Sequence, residues 1–82
     1  MSYTYILFSR TLDRFYIGST RDEVSQRLHK HLSEHDGFTS KAKDWEVVYT
    51  EEFIDYRAAL ARERTIKSWK SRRLIERLIT KT

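Results

Sequence analysis

The stretch YTYILFSRTLDRFYIG, residues 3–18, decides the fold. Two runs rich in β-branched and aromatic residues, 3–8 and 15–18, flank a polar connection that contains Asp13, which is the pattern of a β-hairpin. If the turn holds four residues, 10–13, residues whose numbers sum to 23 face each other across the hairpin. Tyr5 and Tyr16 then project from one face, and a loop one residue longer or shorter would separate them. The second run ends on Gly18, one of only two glycines in the chain. A missing side chain at a strand end lets a ligand or another backbone approach closely, so Gly18 becomes a candidate substrate contact beside Tyr16.

Downstream of the hairpin, Asp22 is a plausible N-cap, and Val24, Leu28 and Leu32 recur at four-residue spacing. Residues 23 to about 35 therefore read as an amphipathic helix, which Asp36-Gly37 ends. After the polar segment DGFTSKAKD, the alternation in WEVVYTEEF predicts a third strand over residues 45–53. Asp55 can cap a long final helix with Tyr56, Ala59, Leu60, Glu63 and Ile66 on one stripe, and Ser71 can cap a last short helix. The order strand, strand, helix, strand, helix, helix implies an α+β fold: a small three-stranded antiparallel sheet flanked by helices.

Eighty-two residues suffice for one compact core, so a single domain over 1–82 is expected. No apolar run approaches the ~18 residues of a membrane span, and the N-terminus lacks the basic and apolar regions of a secretory signal. A cytoplasmic protein without membrane partners is the expectation. The absence of cysteine excludes disulfides, thiolate metal sites and a Cys nucleophile. The net charge is +4, and the excess sits at the C-terminal end, where only Glu63 and Glu76 oppose Arg57, Arg62, Arg64, Lys67, Lys70, Arg72, Arg73, Arg77 and Lys81. Such a field attracts phosphate backbones, although a basic helix is often only a solvated surface.

Three constellations resist a purely structural reading. Glu63 falls on the inward stripe of its helix, and a carboxylate there requires a partner. That partner is either Lys67, at i+4, or a hard divalent cation whose remaining positions are filled by water. Arg27 and His31 lie at i and i+4 beside the apolar stripe of the first helix. They are either a snorkelling surface pair or a fixed cation next to an imidazole that titrates near neutrality. Tyr5 and Tyr16 are either core edges or reagents.

Together these residues resemble the GIY-YIG nuclease domain, in particular its short stand-alone bacterial form related to the N-terminal nuclease domain of the bacterial excinuclease. The resemblance rests on Thr4-Tyr5-Ile6, Tyr16-Ile17-Gly18, Arg27-Leu28 with His31, residues 45–49, and residues 58–67 around Glu63. Thr4 stands where the first tripeptide of the family has glycine, and the chain has no asparagine to fill the auxiliary position that some catalytic members place after the glutamate. The resemblance implies an endonuclease that hydrolyses phosphodiester bonds with one Mg²⁺ or Mn²⁺ held by Glu63, acts on nucleic acid with DNA as the expected substrate, and serves repair or recombination. Arg27 would then clamp the phosphate, and Tyr5 or Tyr16 would orient the attacking water, with His31 helping as base. Gly18, Arg21, Lys41, Lys67 and Lys70 would contact the substrate, and a partner protein could assist. The alternatives are a non-catalytic nucleic-acid-binding module of the same fold, gripping phosphates through its basic helices, and a protein-interaction domain presenting Trp45 and Trp69.

Overall fold

The computed structural model describes residues 1–33 and 37–81, with the side chain of Phe38 left out. Three strands, β1 (Ser2–Ser9), β2 (Arg14–Thr20) and β3 (Glu46–Phe53), form one antiparallel sheet in the order β2-β1-β3. The helices are α1 (Val24–Ser33), α2 (Tyr56–Ser68) and α3 (Arg72–Thr80), and a 3₁₀ turn (Phe38–Lys41) precedes β3. None of these helices is long and apolar enough to cross a membrane. The α+β architecture expected from the sequence is the one observed.

The hairpin register follows the four-residue turn, with Tyr5 opposite Gly18, Leu7 opposite Tyr16 and Ser9 opposite Arg14. β1 is the central strand and is covered on both faces, which explains why its sequence is almost continuously apolar rather than alternating. On one face Tyr5, Leu7, Tyr16 and Val47 pack with Trp45, Ala42 and the α1 stripe Val24, Leu28 and Leu32. On the other, Ile6, Ile17, Phe15, Val48 and Tyr49 pack against Ile66 and Trp69 and against Ile75, Leu78 and Ile79 of α3. The weak alternation of the third strand has a local cause: Ile6 pairs with Tyr49 and Leu7 with Val47, so Val48 is an extra residue in a bulge that turns Val48 and Tyr49 toward the same core.

The caps of α2 and α3 are as the sequence suggests. The Asp55 carboxylate accepts from the Ala58 amide at 2.8 Å, and the Ser71 hydroxyl accepts from the Leu74 amide at 3.2 Å. Lys70, with φ of 47°, breaks the path between the two helices. At α1 the structure corrects the reading: the Glu23 carbonyl accepts from the Arg27 amide and the helix begins at Val24, so Glu23 and not Asp22 occupies the cap position. The expected end of this helix at Asp36 lies outside the described residues.

Thr4 faces α2 and donates its hydroxyl to the Ala59 carbonyl at 2.6 Å, with both residues fully buried. This bond pins α2 to the central strand one helical turn before Glu63.

Candidate active site

Four of the expected residues meet on the α1 face of the sheet. The Tyr5 hydroxyl lies 2.9 Å from His31 Nε2, and His31 Nδ1 lies 3.0 Å from the Thr39 hydroxyl on the 3₁₀ turn. Arg27 directs Nε at the Tyr5 oxygen from 3.4 Å. Because a guanidinium can only donate, the arrangement that satisfies every atom has Tyr5 donating to Nε2 and Nδ1–H donating to Thr39. Tyr16 stands 4.9 Å from the His31 ring in an edge contact and 6.5 Å from Tyr5. The Thr39 backbone is held in turn by the Trp45 indole, which donates to its carbonyl at 2.9 Å.

This cluster is buried more deeply than its sequence positions indicate. Tyr5 is 1% exposed and His31 3% exposed, whereas Tyr16 and Arg27 are half-buried. Burial pushes the Tyr5 phenol up to about 12; hydrogen bonding and charge from Arg27 oppose the shift, while Tyr16 and the Glu63 carboxylate add to it. Trp45, 3% exposed, is a core support and not the contact surface that the protein-interaction reading requires.

Gly18 makes room for a protein group. A Cβ there would sit 2.5 Å from the Tyr5 hydroxyl oxygen, 2.6 Å from Tyr5 Cζ and 3.2 Å from Tyr16 Cε1. The close approach that the glycine permits is thus made by the Tyr5 ring crossing the edge strand.

Glu63 arrives from the opposite face. Ser19 points to the α2 side, since it pairs with Thr4, and its hydroxyl donates to Glu63 Oε1 at 2.5 Å. Lys67 donates to Oε2 at 2.6 Å, so the i, i+4 pair is present, with the Lys67 side chain half exposed and that of Glu63 14% exposed. The carboxylate therefore flanks the free edge of β2 on one side and the Tyr5 network flanks it on the other, close enough for the Glu63 charge to disfavour ionisation of Tyr5.

Among the described residues no three His, Cys, Asp or Glu side chains gather into a metal cage. A one-carboxylate site remains compatible with Glu63: both oxygens accept from donors, the neighbouring Ser19 oxygen is a hard ligand, and the Lys67 ammonium shows that a cation is favourable at Oε2.

The remaining expected contacts are dispersed. Lys41 lies on the same 3₁₀ turn as Thr39, beside the His31 side. Arg21 follows the end of β2 and stacks its guanidinium 4.0 Å over the Tyr56 ring. Lys70 lines a cleft with Arg14 and Phe15 at the far end of β2, about 13 Å along the strand from Gly18. Sequence reading missed Ser19 and Thr39, and it noted Thr4 without its bond to α2. Each is a small hydroxyl residue in a strand or a polar segment, with no periodic signal to single it out.

A model of the GIY-YIG catalytic domain matches residues 1–76 of the chain. The protein belongs to the GIY-YIG family. Members of this family are nuclease domains, so nucleic acid is the substrate class that membership implies. No curated protein and no solved structure matches the chain. Tyr5 and Tyr16, read from the sequence as the tyrosines of the two tripeptides, both lie on the His31 side of the sheet.

Proposed function

We propose that this GIY-YIG protein is a divalent-metal-dependent endonuclease that hydrolyses phosphodiester bonds, with DNA as its substrate. The observation that carries the reading is the hydrogen-bonded line Thr39, His31, Tyr5, Arg27 on one side of the β2 edge, with the Glu63 carboxylate on the other. One flank can move a proton and clamp an anion, while the other can hold a cation.

Arg27 binds the non-bridging oxygens of the scissile phosphate, where negative charge concentrates as the pentacoordinate state forms. Tyr16, the more exposed tyrosine, orients the attacking water. Burial raises the Tyr5 phenol to about 12, so it stays protonated at neutral pH and a standing phenolate is not the base. Tyr5 instead acts as a conduit, its oxygen accepting the water proton as its own proton passes to His31 Nε2, while Thr39 holds the ring through Nδ1. Mg²⁺ or Mn²⁺ held by Glu63 would supply screening of the phosphate and stabilisation of the departing 3′-oxygen. Arg21 and Lys41 are outer phosphate contacts.

The Glu63–Lys67 pair also favours a second reading, since a carboxylate with its own ammonium needs no metal. In that case the domain binds nucleic acid without cutting it. The deciding experiment incubates the protein and its Glu63→Gln variant with labelled duplex, flap, junction, single-stranded and RNA substrates in Mg²⁺, Mn²⁺ or EDTA. Metal-dependent cutting that falls at least about 10³-fold in the variant, with nucleic-acid binding retained, is the expected result. Equal cutting by both proteins removes Glu63 from the chemistry. Binding without cutting by the parent protein establishes the second reading.

A further inference from the structure

A second basic site lies on the other flank of α2. A cleft of about 270 Å³ between α2 and α3 is lined by Arg62, Trp69, Leu74, Arg77, Leu78 and Lys81. Its floor is apolar and aromatic, with Leu74 40% exposed. Its rim is cationic. The Arg62 guanidinium lies 5.7 Å from the Trp69 ring centroid and pairs with Glu51 of β3 at 3.3 Å. Among the described residues Arg77 and Lys81 make no ion pair; they project from the face of α3 that carries Leu74, one and two turns beyond it.

We infer that this cleft is a docking site for an unpaired nucleotide, its base set against Trp69 and its phosphates held by Arg77 and Lys81. An aromatic floor with a cationic rim is the chemistry that captures single-stranded nucleic acid with little regard to sequence. Arg62 over the indole adds a cation–π contact that keeps the ring in place.

The position of the cleft sharpens the substrate class, and this step rests on the nuclease reading. Glu63 faces Ser19 on β2 while Arg62 faces Glu51 on β3, and these strands are the two edges of the sheet, about 10 Å apart. α2 lies between them, about 10–12 Å across. A duplex with a persistence length of about 150 base pairs does not fold around such a ridge, whereas a single strand does. The preferred substrate therefore carries a single-stranded arm that leaves the Glu63 edge, crosses α2 and ends in the Trp69 cleft.

Binding is tested in EDTA, by fluorescence anisotropy with an oligothymidylate, an oligouridylate and a blunt duplex hairpin. For R77Q/K81Q we expect about tenfold weaker binding of both single strands at about 0.1 M salt, a log–log salt slope shallower by about 1.4, and less than about a twofold change for the duplex. Intrinsic fluorescence gives a second readout: Trp45 is buried, so quenching by the single strands reports Trp69 and disappears in Trp69→Phe. Equal losses on single strands and duplex, or no loss at all, overturn the inference. Glu63→Gln retains full single-strand affinity in this assay, which separates failure of the cleft from failure of the proposed catalytic site.

Discussion

The two sides of the β2 edge hold their functional groups by opposite means. On the α1 side Tyr5 and His31 are buried and every link has a fixed partner, from the Trp45 indole through Thr39 and His31 to Tyr5 and Arg27. On the α2 side Glu63 is held by Ser19 from the strand and by Lys67, a long side chain half in solvent. Rigidity suits a proton path, whose donor and acceptor must stay within hydrogen-bond reach. An exchangeable partner suits a cation site, since an ammonium can give way to a metal without disturbing the core. The first side should therefore answer to packing and the second to charge.

The sharpest way to break this contrast is Gly18→Ala. Its Cβ would collide with the Tyr5 ring, and that ring cannot withdraw without losing His31. Overpacking of this kind costs about 1–3 kcal/mol, and each kcal/mol lowers Tm by roughly 4–8 °C in a domain of this size. Displacement of the network by about 1 Å should also reduce cleavage about 100-fold, with metal binding unchanged. Thermal melts and single-turnover kinetics measure both effects, and a variant with native Tm and native rate would show the α1 side to be soft.

How much of this is legible in the sequence follows from which signals are local. The hairpin register, the Asp55 and Ser71 caps and the amphipathic helices depend on residues near each other in the chain, so periodicity and turn length suffice. That Tyr5 and Tyr16 share a face follows from the register alone. The burial of His31 does not, because it depends on the 3₁₀ turn folding over the ring and supplying Thr39. In sequence, the segment containing that turn is merely polar and flexible in character. Glu63 is visible as a misfit on an apolar stripe, yet its place across the sheet from Tyr5 depends on which face α2 covers, and hairpin parity says nothing about that. Gly18 stands out as a point of close approach, but only the structure shows that the approaching group is Tyr5.

A smaller effect tests the α2 side. Lys67→Met leaves Glu63 with Ser19 alone and removes a competing cation. Exposed and half-exposed ion pairs are worth about 0.3–1 kcal/mol, so Mn²⁺ binding, followed by electron paramagnetic resonance of the free ion, should tighten about two- to fivefold with little change in Tm. Unchanged metal affinity together with slower cleavage would reassign Lys67 to the substrate, the role that the family resemblance implies.

The smallest expected effect concerns the hairpin turn, which is clamped from both faces. From the α1 side Asp44 accepts from the Ser9 hydroxyl at 2.6 Å and from the Thr11 amide and hydroxyl at 2.8 and 2.9 Å. From the α3 side Arg72 donates to the Asp13 carboxylate at 2.6 Å and to its carbonyl at 3.0 Å. The bonds from Ser9 and Thr11 hold the Asp44 carboxyl at about 2, below the ordinary 3.8. The native state therefore binds that proton less tightly than the unfolded chain, so the contribution to stability is complete above about pH 4 and disappears as pH falls through about 2. Asp13 is also lowered, chiefly by Arg72, and contributes with the same sign. Because both carboxylates are exposed, solvent screening keeps the effect modest. In melts recorded from about pH 5 to about pH 2, Asp44→Asn should begin at a lower Tm and lose less of it on acidification than the parent chain, the remaining slope including the Asp13 contribution. A variant as acid-sensitive as the parent would mean that the turn is held from the α3 side alone, and the hairpin register that aligns Tyr5 with Gly18 would then depend on Arg72.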